Sequence, residues 1–334
     1  MKGMPATRIH GLLKAAALTA CTLLSSHAPA GPISEWQVPW QEGRPRDPYV
    51  DSTGKVWFCG QGGGYLARFD PLSGRFKRYD LGAERGPHNL IIDAGDQVWY
   101  AGNTTGHIGR LDPATGAITR FPMPDPDVRD PHTLVWDRSG NIWFTAQFSN
   151  AVGHLDVGTG TIRLAKVPTP SARPYGIVMA PDDRPWIVLF GTNKLATVDP
   201  ASMTLTEIEL PDSESRPRRL EITSDGIVWY GDYSRGMLGR YAPGDGSFRE
   251  WPLPGGARSW PYGMALDDRD RIWIAETGLA PNRVVAFDPA AGKFFFDEPV
   301  PSGGGTLRHM VFDAKSRTVW FGADTNTIGS ISVP

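Results

Sequence analysis

The chain has 334 residues, with 34 Lys and Arg against 36 Asp and Glu, a net charge of −2, 40% hydrophobic residues, 39 Gly, 30 Pro and 12 Trp. This composition is typical of a globular protein, because disordered chains have few aromatic residues and collagen has a strict glycine period. It also disfavours nucleic acid as a partner, since a duplex-binding surface carries a strong basic excess.

Residues 1–30 have the pattern of a secretory signal peptide. Three basic residues and no acidic residue precede an apolar run over 15–24, and small residues lead to a cleavage site after Ala30. The run is too short to span a bilayer, and no later segment is long enough, so the sequence predicts no transmembrane segment and a secreted or periplasmic protein. An alternative is a lipobox ending at Cys21, which would tether a lipoprotein to the membrane. Cleavage leaves Cys59 alone and excludes an intramolecular disulfide.

The rest of the chain, 31–334, carries one repeat. Tryptophan recurs at intervals of 42 to 47 residues, each time inside a copy of one pattern. The repeated residues are Trp57, Trp99, Trp143, Trp186, Trp229, Trp273 and Trp320. Each copy contains four short β-type runs separated by turns with Asp, Gly or Pro, and no segment keeps a helical period.

Four-stranded units repeated at this spacing predict a single all-β domain, a seven-bladed β-propeller. The seventh unit offers only three strands before the chain ends, whereas residues 34–39 resemble a fourth strand. We therefore expect the N-terminal strand to complete the last blade. We expect the repeated Trp residues to pack in the core between blades.

A set of polar and aromatic residues lies eleven positions before each Trp, and in six copies it follows a Pro. The set is Arg46, His88, His132, Tyr175, Arg218, Tyr262 and His309. Equivalent positions converge in a propeller, so these residues predict a ring and a ligand site at one mouth of the central channel. Alternatively, they line a wet channel and bond to loop carbonyls. Residues 216–219 read as a solvated turn, from which Arg218 is a candidate contact to an anionic ligand.

At the positions three and four residues after each Trp, carboxylates occur only in the last three copies, at Asp232, Glu276 and Asp324. A hard divalent cation prefers oxygen ligands, and a general base is often a neutral His. His309 and Asp324 are therefore the predicted base and metal ligand. Asp232 and Glu276 join the ring as substrate-binding candidates.

Three motifs recur in the copies: Pro-(His/Tyr)-Gly-Ile, then Gly-x-(Ile/Val)-Trp-Phe-Thr, then Asn-x-Ile-Gly-Arg. They are represented at 174–177, 261–264, 140–145, 326–329 and 239–241. In these motifs the chain resembles the streptogramin B lyases, also called virginiamycin B lyases, from about residue 35 to residue 333.

The resemblance implies a monomeric propeller that confers antibiotic resistance by opening a cyclic depsipeptide through elimination across its ester. Mg²⁺ would polarise the carbonyl next to the ester, and a His would remove the α-proton. By position, the resemblance implies His309 as the base and Asp324 as a metal ligand.

Two positions depart from the family pattern. Leu307 stands where the family has a second metal-binding acid, and Tyr262 stands where it has a substrate-binding His. A rotated site in blades two and three is the alternative, because Asp130 and His132 flank a Pro as the family motif requires and His88 is next to them in the ring.

The sequence is compatible with three functions. The first is a metal-assisted lyase acting on a cyclic peptide or a related small molecule. The second is a non-catalytic propeller that binds a ligand or a protein, which the substitutions at Leu307 and Tyr262 favour. The third is a lactonase-type hydrolase, which would need several converging carboxylates at a calcium site.

Overall fold

The structure is a computed structural model that describes Met1, Gly3 and residues 32–82 and 86–334. The signal-peptide prediction lies almost wholly outside these residues. Pro32–Pro334 form one compact unit. No helix in the described ranges has both the length and the apolar character that crossing a bilayer demands.

The described residues form an all-β fold of seven four-stranded antiparallel sheets, here called blades 1 to 7. The first strand of the chain is β1 (Ile33–Gln37). Blade 1 consists of β2 (Pro45–Val50), β3 (Val56–Gly60), β4 (Tyr65–Asp70) and β5 (Arg75–Asp80). Blade 2 consists of β6 (Pro87–Ile92), β7 (Val98–Gly102), β8 (His107–Leu111) and β9 (Ile118–Pro122). Blade 3 consists of β10 (Pro131–Trp136), β11 (Ile142–Ala146), β12 (Ala151–Leu155) and β13 (Ile162–Lys166).

The second half continues the pattern. Blade 4 consists of β14 (Pro174–Met179), β15 (Pro185–Leu189), β16 (Lys194–Val198) and β17 (Leu205–Glu209). Blade 5 consists of β18 (Pro217–Ile222), β19 (Val228–Asp232), β20 (Met237–Ala242) and β21 (Ser247–Pro252). Blade 6 consists of β22 (Pro261–Leu266), β23 (Ile272–Glu276), β24 (Arg283–Asp288) and β25 (Lys293–Pro299). Blade 7 consists of β26 (Leu307–Asp313), β27 (Thr318–Ala323), β28 (Thr327–Ser332) and β1. The helical content of the described residues is one 3₁₀ turn, Gly256–Arg258.

The blades close into a ring, as the sequence predicts. The first strand of each blade contacts the first strand of the next, and β26 contacts β2. β1 pairs with β28 from Ile33 opposite Ile331 to Gln37 opposite Thr327, so the N-terminal strand completes blade 7. Asn326 adds side-chain hydrogen bonds to the carbonyls of Val38 and Trp40, at 3.0 and 2.9 Å.

The repeated Trp residues are all buried, which confirms their core role. In blade 1, Asp51 at the β2–β3 turn accepts hydrogen bonds from two turn N–H groups and from Nε1 of Trp57 at 2.8 Å. The same indole bond joins Asp93 to Trp99 at 2.9 Å and Asp267 to Trp273 at 3.0 Å. The aspartate of the repeat therefore fixes the turn and satisfies the buried indole N–H group, which would otherwise cost stability.

The glycine of the Ile-Gly-Arg motif also has a packing reason. Gly109 lies directly opposite Tyr100, and a Cβ atom at Gly109 would lie 2.1 Å from the tyrosine ring. Gly239 meets Tyr230 in the same way at 2.0 Å. Since no side chain fits at these distances, the third strand needs glycine opposite Tyr100 and Tyr230, whereas blade 1 has Ala67 opposite Phe58.

Ring closure gives a stability prediction. The Trp36 ring on β1 lies 5.1 Å from Phe69 of blade 1 and 5.7 Å from Trp320 of blade 7, measured between ring centroids. Trp36→Ala should therefore lower the free energy of unfolding by about 3 kcal/mol. The matched control is Trp260→Ala, because Trp260 is 46% exposed and its loss should cost less than about 1 kcal/mol. Equal urea midpoints for the two variants would show that the β1 contact does not fasten the ring.

Candidate functional site

Side chains converge where the seven first strands begin, at one end of the ring axis. We call this end the axial mouth. Each first strand has an irregularity in its pairing just after its opening residue, as between Arg46 and Tyr49 in β2. Residues of these first strands contact other blades. Asp47 of blade 1 pairs with Arg219 of blade 5, which also bonds to Thr133 of blade 3. Arg218 of blade 5 lies over the ring of Tyr262 in blade 6.

In blade 7, the residue at the ring position is one place earlier in the chain than the count from Trp320 predicts. Strand pairing aligns Leu307 with the prolines that open the other first strands. Arg308 therefore occupies the ring position that the count assigns to His309, and His309 lies one step further, where blade 1 has Asp47. The physical reason is the turn over 313–318, which is one residue longer than the 51–55 turn of blade 1.

A buried carboxylate joins three blades at the centre of the mouth. Asp47 is 0% exposed and adopts a left-handed backbone conformation with φ of 49°. It accepts hydrogen bonds from Arg46 Nε at 3.0 Å and from Asn89 Nδ2 at 2.9 Å, and it lies 3.5 Å from Arg219 Nη2. Burial alone would raise the pKa of Asp47, but the positive charges of Arg46 and Arg219 outweigh burial and lower it. Asp47 is therefore ionised.

Arg219 reaches across the axis, so the predicted solvated turn at this segment is wrong. Residues 216–219 read as a solvated turn, yet β18 begins at Pro217 and Arg219 is 3% exposed. Its Nη1 donates to Oγ1 of Thr133 in blade 3, at 3.1 Å. Asp47, Asn89, Thr133 and Arg219 each directly follow the ring residue of their blade. This position is the sequence signal that identifies them.

Histidine and tyrosine rings contact one another along one side of the mouth. His88 and His132 have ring centroids 3.6 Å apart, and the Tyr175 ring lies 4.0 Å from His132. Tyr175 and Tyr262 share a short hydrogen bond between their hydroxyl groups across the axis. Burial, with further contributions from Arg46 and Arg219, lowers the pKa of both His88 and His132, so both rings are neutral.

Arg218 lies among aromatic rings. Its guanidinium carbon is 3.5 Å from the Tyr262 ring centroid, 4.4 Å from that of Tyr233 and 4.8 Å from that of Phe190. Burial opposes ionisation of Tyr262, but the surrounding guanidinium groups, Arg218 first, outweigh burial and lower the pKa of Tyr262.

The predicted base and metal ligand do not meet. Between His309 and Asp324, both in the described part of the chain, there is no hydrogen bond or ion pair. Burial lowers the pKa of His309 to about 3, with a further contribution from Arg219. Asp324 instead accepts hydrogen bonds from Arg308, from Nε at 3.2 Å and from Nη2 at 2.5 Å, and its Oδ1 lies 3.7 Å from Arg44 Nε.

The other predicted carboxylates anchor loops. Asp232 accepts the backbone N–H group of Arg216 at 2.9 Å and pairs with Arg235 at 3.3 Å. Glu276 accepts the backbone N–H group of Gly255 at 2.9 Å, and burial raises the pKa of Glu276.

In the alternative site of blades 2 and 3, the structure brings the two imidazoles together but not the acid. His88 and His132 are in contact, whereas Asp130 bonds to the loop that follows β11. Its oxygens accept the backbone N–H groups of Phe148 at 2.5 Å and Ser149 at 3.1 Å. Asp130 therefore holds a loop, as Asp232 does in blade 5.

The residues at the mouth do not fit a magnesium ion. A hard divalent cation requires several oxygen ligands. Strand pairing places Leu307 at the Pro of the acid-Pro-His motif and Thr306 at its acid, so neither residue supplies a carboxylate. Leu307 is buried in an apolar cluster, and the carboxylate of Asp324 is paired with Arg308. Within the described residues, no three His, Cys, Asp or Glu side chains are grouped to hold a metal. Four guanidinium groups at the mouth would also repel a cation.

Comparison with known proteins gives the family. The model of the virginiamycin B lyase family matches residues 18–284. The chain belongs to that family. The matched segment ends before β26, so it includes neither His309 nor Asp324. Among curated proteins, none matches this chain.

Solved structures share the propeller fold of this family member. Virginiamycin B lyase from Staphylococcus aureus has a TM-score of 0.81 at 22% identity, over 90% of this chain and 99% of that one. A catalytically inactive variant of that enzyme with quinupristin gives the same TM-score, identity and coverage. Hydrazine synthase from Kuenenia stuttgartiensis has a TM-score of 0.73 at 14% identity, over 89% of this chain and 97% of that one. At these identities the likeness concerns the fold alone.

Burial of a neutral His309 predicts a pH-dependent stability. Below about 6.5 the imidazole takes up a proton in the unfolded chain, whereas in the folded chain it stays neutral down to about 3. Stability is therefore complete above 6.5 and falls as the pH drops, by about 2 kcal/mol at pH 5 for this one group. His309→Gln should remove that loss, measured as the difference in unfolding free energy between pH 7 and pH 5.

The control is His154→Gln, since His154 lies on β12 and pairs with Asp137 at 3.2 Å, away from the mouth. This variant should not reduce the loss. If wild type and His309→Gln lost equal stability between the two pH values, His309 would not be held neutral by burial.

Proposed function

We propose that this protein binds a small organic ligand at the axial mouth and does so without magnesium and without opening an ester. The observation that carries the proposal is the pairing of Asp324 with Arg308. This pairing occupies the one carboxylate that stands at an implied metal position. The mouth still offers hydrogen-bond donors and aromatic rings from most of the blades, which is the usual composition of a ligand site.

The state of His309 supports the same proposal. A general base works best when its pKa lies near the working pH. Since burial lowers the pKa of His309 to about 3, the imidazole has little tendency to accept a proton from carbon.

A lyase is the second candidate, because the chain belongs to the virginiamycin B lyase family and Nδ1 of His309 has no hydrogen-bond partner. In this candidate His309 removes the α-proton and the ester alkoxide leaves. With no suitable metal ligands at the mouth, a neighbouring guanidinium, from Arg46 or Arg219, would stabilise the charge on the carbonyl oxygen.

The proposed place of action is outside the cytoplasm. The basic residues, apolar run and small residues of 1–30 support export with cleavage after Ala30.

Magnesium and quinupristin test the proposal together. We expect no binding heat when Mg²⁺ or Ca²⁺ is titrated into the protein, and Asp324→Asn should not change that result. Quinupristin incubated with the protein and Mg²⁺, with and without EDTA, should keep both its mass and its chromatographic retention. The S. aureus virginiamycin B lyase is the positive control.

Two results would contradict the proposal. A product of unchanged mass and altered retention would indicate elimination, and a product heavier by one water would indicate hydrolysis. If either is lost in His309→Ala, the lyase or the hydrolase candidate replaces the proposal.

A further inference from the structure

Several buried N–H groups at the axial mouth have no hydrogen-bond partner. Arg46 and Arg219 are each 3% exposed, yet Nη2 of Arg46 and Nε of Arg219 have no hydrogen-bond partner. Nη2 of Arg219 has only the 3.5 Å ion pair with Asp47. Nε of Arg218 and the ring nitrogen Nε2 of His132 also have no hydrogen-bond partner. Buried polar groups are almost always paired, so donors left open around one point indicate a missing acceptor.

The charges at the mouth do not balance. Arg46, Arg218, Arg219 and Arg308 face only two carboxylates, Asp47 and Asp324, and the imidazoles are neutral. These guanidinium groups also lower the pKa of Tyr262, so its hydroxyl supplies at most one further negative charge, and at least one positive charge is uncompensated in a largely buried cluster. Because burying a charge without a counter-charge is costly, the cluster is suited to receive an anion.

An aromatic rim adjoins these donors. Phe190 and Tyr233 are half-buried and lie 5.8 Å apart, and the exposed ring of Trp260 stacks on Tyr233 with 5.9 Å between centroids. Arg218 links the rim to the centre, because its guanidinium contacts the rings of both Phe190 and Tyr233. These rings therefore offer an apolar surface beside the open donors.

We propose that the ligand is an organic anion, a carboxylate carried on a flat apolar ring. This inference rests on the proposed function and specifies its ligand class. The carboxylate accepts hydrogen bonds from Arg219 and Arg46, and the ring of the ligand packs on Tyr233 and Trp260. The planar fork of a guanidinium matches the two oxygens of a carboxylate, which favours this anion over a spherical one.

Benzoate is the probe, and benzamide is its neutral counterpart of the same shape. Calorimetric titration of the full chain should show benzoate binding that weakens as salt is added, with benzamide at least about tenfold weaker. Arg219→Gln should weaken benzoate binding at least about tenfold and leave benzamide unchanged. If Arg219→Gln does not fold, Arg218→Gln replaces it, since that side chain is only half-buried. The matched control is Arg240→Gln on β20, away from the mouth, which should bind benzoate as wild type does.

Two outcomes would overturn the inference. Equal binding of benzoate and benzamide would show a site that selects aromatic rings rather than charge, and the proposed function would stand with a different ligand class. Binding of neither probe to the folded protein would also overturn it. The proposed function is tested separately. Ring opening of quinupristin or binding of Mg²⁺ would contradict it, whether or not benzoate binds.

Discussion

The buried carboxylate of Asp47 is the interaction on which the axial mouth depends. It binds a guanidinium from its own blade, an amide from blade 2 and a guanidinium from blade 5. A charge with no solvent contact is tolerated only if it is paired and hydrogen-bonded. Asp47 therefore fixes the positions of Arg46 and Arg219, and through Arg219 the contact with Thr133 of blade 3. The remaining donors of these arginines are left facing the axis without partners.

The fold was predictable because it repeats. One Trp per unit, the turn Asp that accepts its indole N–H group, and the Gly opposite an aromatic ring each recur for a packing reason, so seven weak signals add to a strong one. The site was less predictable, because its chemistry lies in the residues that differ between copies. A single extra residue in the 313–318 turn shifts the register of blade 7, and no count from Trp320 reveals it. The pairing of Asp324 with Arg308 and the reach of Arg219 across the axis depend on three-dimensional proximity between residues far apart in sequence.

This chain has the fold of its family but differs from the family pattern in the charges at the axial mouth. The ring, its closure and its mouth are those of a virginiamycin B lyase relative, whereas the charges at the mouth are of the opposite sign to a cation site. Neither Thr306 nor Leu307 supplies the implied second acid, and Arg308 engages the carboxylate of Asp324. Both features remove oxygen ligands and leave guanidinium charge in excess. Family membership therefore predicts the fold of this chain better than it predicts the chemistry at the mouth.

Anomalous diffraction tests this account most directly. Crystals of the protein soaked in manganese bromide offer the mouth a divalent cation and an anion at the same time. We expect bromide density between the guanidinium groups of Arg46 and Arg219 and no manganese density at Asp324. Manganese bound to the Asp324 carboxylate, with Arg308 displaced and no bromide at the axis, would contradict it.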